Sequence, residues 1–238
     1  MIPIMFVGDN IKTENSKWEF KGHVAEIFDE HVKKSVPLYH EGHNLIVSLS
    51  DFFIQDNSIC YEIGCSTGNL SYLLAAHHST KKAYFIGIDK EIDMIRKAKE
   101  KYNLENLSFI NEDIINFEYD ISNFIVSYYA LQFINLKHRE NIIWKVYNAL
   151  EKGGCFAFFE KVLSINSNFQ NILDAAYFDF KVQNNYSFSE ILAKYFSLKG
   201  VLVPNTTQEN LNILKNVGFK EISIILKYCN FEGYAAIK

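Results

Sequence analysis

Arginine is almost missing from this chain. Of its 24 cationic side chains 22 are lysine, and only Arg96 and Arg139 carry a guanidinium. Anion recognition here therefore falls mostly to a flexible point charge rather than to a planar fork. A positive excess is missing too: 28 acidic residues leave a formal charge of −4, so the broad basic field of a general nucleic-acid binder is excluded and direct nucleic-acid binding is not expected. No apolar run approaches the roughly 18–20 residues that cross a bilayer. Met1–Val7 is apolar but has no cationic lead and no small-residue cleavage site, so a secretory leader is not expected. The four cysteines (Cys60, Cys65, Cys155, Cys229) show no CxxC spacing, which points to a reducing cytoplasm. With three prolines, no repeat and no Pro/Gly-rich linker, nothing marks a boundary between domains.

What remains is a 238-residue chain, 48% hydrophobic and 15% aromatic, enough for a sizeable core in one domain. Residues 1–17 read as a polar, loosely held arm. Val24, Ile27, Phe28 and Val32 keep helical spacing up to Pro37, and a second helix is expected over 42–53; together they form a helical cap, 18–56. Beyond it the pattern alternates. Strands are expected at 58–63, 83–88, 107–110, 124–127 and 155–159, with helices at 69–78, 91–102 and 137–150 between them. Such alternation implies a parallel sheet with right-handed crossovers, a doubly wound α/β fold. A helical insertion follows over about 164–203, with a Ser187-x-x-Glu190 capping box inside it. A second box, Thr206-x-x-Glu209, opens another helix. Two closing strands, 222–226 and 234–237, bracket an expected turn at Glu232-Gly233.

The chemistry concentrates in Tyr61-Glu62-Ile63-Gly64-Cys65-Ser66-Thr67-Gly68-Asn69. An acidic residue near the end of the first sheet strand precedes small residues at alternate positions, Gly64-x-Ser66-x-Gly68, so a ligand can approach the backbone. A pyrophosphate turn would carry its third glycine one position later and would not follow a carboxylate. Glu62 instead favours a cationic ligand. Asp89 closes the second strand, where a carboxylate can accept both hydroxyls of a ribose. Together these features indicate an adenosyl ligand with a positive charge. His40-Glu41-Gly42-His43 does not have the H-E-x-x-H spacing, and no metal site is expected. Cys65 is expected as a small packed side chain.

This pattern resembles the class I S-adenosylmethionine-dependent methyltransferases, with a seven-stranded Rossmann-like sheet. Glu112-Asp113-Ile114 is similar to their adenine-holding segment, and Ser127–Phe133 to the segment beside the reacting methyl. A closer resemblance is to the carboxy-S-adenosylmethionine synthase family. It is carried by Trp18-x-Phe20, Val24–Phe28, Ser35-Val36-Pro37-x-Tyr39, Gly64-Cys65-Ser66, Leu131-Gln132-Phe133, Glu160-Lys161 and Asp179-Phe180-Lys181. It implies a homodimer that transfers a carboxyl group derived from prephenate to the methyl of S-adenosylmethionine, in support of wobble-uridine modification in tRNA. It also implies cofactor contacts at Tyr39, Gly64, Cys65, Ser66, Asp89, Lys90, Asp113 and Ile114, to which the local pattern adds Glu62 and Gly68.

Two positions depart from the family. Tyr128 stands where the family has Asn, and Tyr195 where it has the Arg that pairs with the new carboxylate. A guanidinium makes charge-assisted, two-pronged bonds to a carboxylate that a phenol cannot match; Lys194 or Lys199 could substitute only as a point charge. The leading expectation is therefore a diverged methyltransferase acting on a small molecule. Tyr128 and Tyr129 beside the methyl and Tyr39 and Tyr195 around the acceptor would shape its pocket, and Tyr128 or His40 would assist deprotonation. The alternative is carboxy-S-adenosylmethionine synthesis, and a third reading is a binding module without turnover. The bound species is expected to be S-adenosylmethionine, S-adenosylhomocysteine or the carboxylated form.

Overall fold

A computed structural model describes residues 5–238. The chain opens with a two-stranded hairpin, β1 (Met5–Phe6) and β2 (Lys12–Thr13). Its loop buries Val7 and Ile11 beside Trp18 and against α1 (His23–Ser35). Asp9 at the tip accepts from Lys34 Nζ at 2.7 Å and meets His31 Nδ1 at 2.9 Å. The arm expected to be loosely held is thus packed from Met5 onward, because two apolar residues in a polar stretch find a groove; its first four residues lie outside the described ones. Next comes α2 (Tyr39–Ser50), three residues earlier than its apolar periodicity suggests. Leu38 takes a left-handed conformation (φ 54°) and turns the chain so that Tyr39 opens the helix.

The alternating core follows as β3 (Ile59–Ile63), α3 (Asn69–His77), β4 (Tyr84–Asp89), α4 (Ile92–Lys101), β5 (Leu107–Asn111), β6 (Ser122–Tyr128), α5 (Leu136–Ala149) and β7 (Leu150–Lys161). Two helices, α6 (Ser167–Gln183) and α7 (Phe188–Ser197), form the insertion. Their separation at Asn184-Asn185 is held by Asn185 at φ 67° and by the Ser187–Glu190 capping box. Then α8 (Thr207–Val217), β8 (Glu221–Tyr228) and β9 (Phe231–Ile237) complete the fold.

The seven strands run in the order β5-β4-β3-β6-β7-β9-β8, parallel through β7, with β9 antiparallel to both neighbours. Period-two alternation sorts the core residues into two layers. Tyr61, Ile63, Ile125, Phe156 and Phe158 pack toward α5 and α8, whereas Cys60, Phe124, Val126 and Phe159 pack toward α2 and α3. The terminal turn differs from expectation: it falls at Cys229-Asn230, with Cys229 at φ 52°. Glu232 and Gly233 lie within β9, where a Cβ on Gly233 would come 2.5 Å from the Phe159 ring. The glycine admits a ring rather than a turn. Strand order reverses between β3 and β6, so a crevice opens beyond their carboxyl ends, where open α/β sheets take their ligands.

Candidate functional site

The turn after β3 is clamped to the neighbouring strand. Gly64 N and Cys65 N both donate to Ile88 O, at 2.8 and 3.0 Å. Gly64 adopts φ 69°, and a Cβ there would lie 2.4 Å from the Ala130 methyl, so only glycine fits the close approach between the two loops. Ser66, also left-handed at φ 49°, donates its N–H to Asp89 Oδ2 at 2.9 Å, and Glu91 N donates to Asp89 Oδ1 at 2.9 Å. Asp89 therefore stands fixed at the end of β4 with free lone pairs on both oxygens; its burial pushes its pKa upward. Glu62 is 5% exposed and accepts from Ser71 Oγ, and burial lifts its carboxyl to about 8.

These residues form one end of a cavity of about 600 Å³. Gly64, Cys65, Ser66, Asp89, Lys90, Asp113 and Ile114 all line it, with Tyr39, Tyr128 and Tyr129 on the facing wall. The opposite end, between β7, α6 and α7, gathers four lysines, Lys161, Lys181, Lys194 and Lys199, against one carboxylate, Asp174, together with Tyr177 and Tyr195; burial lowers the pKa of Lys181 to about 7 and that of Lys194 well below its usual value. The cavity is thus polarised, acidic at the sheet and basic at the insertion.

Not every expected residue is there. His40 is exposed in the first turn of α2 and outside the lining, so it is withdrawn as a group that deprotonates a substrate. Gly68 is also outside; a Cβ on it would strike Phe109 and Ala98, so its role is packing. Tyr128 lines the wall, but its hydroxyl donates to Tyr39 O at 2.7 Å and burial raises its pKa. A phenol committed as a donor and resistant to ionisation does not serve as a base. Burial likewise raises the Cys65 thiol, in keeping with a packed side chain. His43 is pressed between Tyr39 and Tyr128 with its pKa lowered to about 3 by burial.

Sequence reasoning passed over Asp29 on α1, which accepts from Thr67 Oγ1 and Asn69 Nδ2 and so fastens the cap to the turn. It also passed over the roles of Lys161, Lys181 and Trp18, although all three lie in the segments that carry the family resemblance. Arg139 is fully committed elsewhere: it donates to Ile134 O, Gln132 O, Val203 O and Asn205 Oδ1. It pins the segment after β6 to the start of α8 and lies outside the lining.

A family model described as a methyltransferase domain matches residues 61–154. The carboxy-S-adenosyl-L-methionine synthase of Staphylococcus epidermidis is 39% identical over 224 residues, covering 93% of this chain and 97% of the relative. That of Nautilia profundicola is 36% identical over 229 residues, covering 95% and 97%. Among solved structures, a putative S-adenosyl-L-methionine-dependent methyltransferase from Methanococcus maripaludis superposes with a TM-score of 0.62 at 19% identity, covering 95% of this chain and 97% of that one. A putative O-methyltransferase from Nostoc punctiforme gives 0.65 at 17% identity, with 90% and 59% covered. At these identities the two structures speak to the fold alone, a doubly wound methyltransferase-type sheet.

Proposed function

Because the chain belongs to the carboxy-S-adenosyl-L-methionine synthase family, we propose that it binds S-adenosylmethionine and converts it to the carboxylated form, in which the methyl carbon has exchanged a proton for a carboxylate. The observation that carries this reading is the polarity of the cavity. Methyl transfer needs an aligned acceptor and no cationic wall, whereas a carboxylate-bearing donor and product need one. The family Arg is absent at Tyr195, yet Lys199 Nζ lies 3.9 Å from the Tyr195 ring, so a positive charge stands beside the position of the lost guanidinium.

The residues at the other end fit an adenosyl sulfonium. Asp89 has acceptor capacity for two hydroxyls, the Gly64–Ser66 backbone admits close approach, and Glu62, whose carboxyl burial lifts to about 8, regains its negative charge where a cation binds beside it. Bound there, S-adenosylmethionine supplies a methyl activated by positive sulfur. The chain's task is to align the donor's carboxyl with that methyl and keep water out, which the walls of Tyr39, Tyr128 and Tyr129 favour. As the resemblance implies, the donor is prephenate: its ring carbon–carboxyl bond breaks as its ring hydroxide departs, leaving phenylpyruvate, and the hydroxide takes the methyl proton and leaves as water while the carboxyl group bonds to the methyl carbon. We also propose a cytoplasmic homodimer, supported by the apolar Phe169, Ile172, Phe188 and Leu192 that α6 and α7 leave exposed. No described helix is long and apolar enough to cross a membrane.

Methyl transfer to a small molecule is the second reading, favoured by Tyr128 and Tyr195 in place of the family's Asn and Arg. Mass spectrometry of the ligand released from the native protein separates the two. A species heavier than S-adenosylmethionine by one CO₂ supports carboxylation; S-adenosylmethionine or S-adenosylhomocysteine alone, with no carboxylated product after incubation with prephenate, overturns it.

A further inference from the structure

Away from the cavity, the far ends of α2 and α3 bring three metal-ligating side chains together. Asp51 caps the C-terminus of α2, His77 is the last residue of α3, and His78 follows it. None of the three lines the cavity. His77 Nε2 lies 2.8 Å from Asp51 Oδ1, and His78 Nδ1 lies 4.0 Å from the same oxygen. One ligand atom from each residue falls within 4.8 Å of the other two. The cluster is open on one side only: Asp51 and His77 are exposed, whereas the side chain of His78 is 1% exposed. It is separate from His40-Glu41-Gly42-His43. Asp51 and His77 stand 26 positions apart and meet only because α2 packs on α3.

The hydrogen bonds around His78 fix its tautomer. Ser50 Oγ gives its one proton to Val47 O at 2.7 Å, so toward His78 Nε2, 2.8 Å away, it can only accept. Nε2 therefore carries the ring proton, and Nδ1 presents a lone pair. Among the described residues no donor bonds to that nitrogen; it faces the Asp51 carboxylate instead, one acceptor opposite another. The ring is held in place, buried and stacked on Phe85 with 5.9 Å between centroids and 6° between planes. Lys81 acts on His78 from the loop after α3, but its ammonium donates to Ile54 O at 2.6 Å. A buried nitrogen with no donor is costly, and a cation between it and the carboxylate relieves both acceptors. Histidines that bind metals characteristically donate their other ring N–H to a fixed acceptor, as His78 does to Ser50.

We infer that Asp51, His77 and His78 form a binding site for a divalent transition-metal ion of the zinc class. Two imidazoles and one carboxylate suit such an ion, whereas magnesium and calcium take oxygen ligands. Water completes the coordination on the exposed side. Tetrahedral bonds of about 2.0–2.1 Å set ligand atoms about 3.3 Å apart. The His77–Asp51 contact therefore opens by about 0.5 Å and the His78–Asp51 contact closes by about 0.7 Å. His77 shifts its ring proton from Nε2 to Nδ1 to free the ligand atom, and His78 needs no such change. The ion joins the far ends of two helices whose near ends carry Tyr39 and follow the cofactor turn. Its role is to stiffen that support, and it does not depend on which reaction the cavity performs.

The test is calorimetric titration of ZnCl₂ into the full-length protein after treatment with a chelator. One equivalent of Zn²⁺ is expected to bind in the micromolar range or tighter, and MgCl₂ is expected not to compete. His77→Ala and Asp51→Asn, both at exposed positions, should each weaken Zn²⁺ binding by about tenfold or more, while S-adenosylmethionine affinity stays within about twofold. His78→Ala should do the same; if it fails to fold, the two surface variants carry the test. A hundredfold excess of Zn²⁺ over its Kd should raise the melting temperature of the wild type by about 5 °C or more, and His77→Ala should lose that rise at the same concentration. Zn²⁺ binding only in the millimolar range overturns the inference. So does micromolar binding that His77→Ala and Asp51→Asn leave unchanged, which places the ion on other ligands such as the cysteines.

Discussion

Asp29 Oδ1 accepts a 2.5 Å hydrogen bond from Thr67 Oγ1, which joins the first helix of the cap to the centre of the cofactor turn. The same oxygen accepts from Asn69 Nδ2 at 2.8 Å, and Oδ2 accepts from Lys101 Nζ. The lysine and the two neutral donors together hold the Asp29 carboxyl below its usual value despite partial burial. One carboxylate thus ties α1, the turn and α4 into a single support for the ligand.

Removing it should loosen the turn. Asp29→Ala is expected to cost about 1–3 kcal/mol of stability and to weaken S-adenosylmethionine binding, since three donors lose their acceptor. Asp29→Asn keeps an oxygen for Thr67 and Asn69 but loses the charge facing Lys101, so its cost should be smaller. Chemical denaturation and calorimetry on both variants check the order; equal costs would mean that the Lys101 pair, not the turn, is what Asp29 serves.

Asp89 carries the ligand argument more directly. Its two oxygens already accept Ser66 N and Glu91 N, so Asp89→Ala removes a turn restraint and the acceptor for a ribose together. Binding of S-adenosylmethionine should weaken by roughly 1.5–3 kcal/mol, tenfold to over a hundredfold. Unchanged affinity in a calorimetric titration would remove the ribose assignment.

The doubly wound core was legible because its signals are local. Strand alternation, the small-residue turn and the capping boxes at Ser187 and Thr206 each depend on a few adjacent residues. Asp89 was legible for the same reason, whereas Tyr39 and Asp113 were marked by the family resemblance; all three line the cavity. What escaped depends on distance in the chain. Val7 and Ile11 look like stray apolar residues until a groove formed by α1 and α7 receives them. Gly233 resembles a turn residue until Phe159 is seen to need its space. His40 follows Tyr39 in sequence, but a left-handed Leu38 starts the helix earlier and turns that imidazole outward. Lys161 and Lys181 stand 20 positions apart, and only the fold brings each ammonium to 4.6 Å from the ring of Tyr177.

Glu160 gives a pH test with a definite sign. It is 4% exposed, its Oε1 has no hydrogen-bond partner among the described residues, and burial lifts its carboxyl to about 8 although Arg139 opposes the shift. In the unfolded chain the group ionises near its ordinary value of 4.5. Between those two pH values the folded state binds more protons than the unfolded state, so the contribution of Glu160 is complete below the lower one and is lost as pH rises through the upper. Glu160→Gln stays neutral throughout. The stability of the variant relative to wild type should therefore climb from pH 5 to pH 8 in denaturant titrations. A flat difference would place Glu160 in a more solvated setting than its burial indicates.

Lys199 and Tyr195 decide how the chain manages without the family Arg. Lys199 is exposed and sits over the Tyr195 ring, so its charge is partly screened and its pull on a carboxylate is worth less than that of a buried fork. Lys199→Met should lower the preference for carboxylated over plain S-adenosylmethionine by about three- to tenfold, or about 0.7–1.4 kcal/mol. Adding Tyr195→Arg to that variant should restore the preference and exceed the wild type, because the guanidinium brings two aligned donors to the same wall. Tyr195 is 41% exposed at the cavity rim, so the substitution leaves the core intact. Tyr128, by contrast, is kept: it is buried against Tyr129 and Phe159, and truncating it to Asn would open a void costing several kcal/mol. Competitive binding of the two ligands to the folded wild type, single and double variants reads the ratio. If Lys199→Met leaves the ratio unchanged and Tyr195→Arg then fails to raise it, the new carboxylate does not lie at this wall. Methyl transfer then becomes the better account of the site.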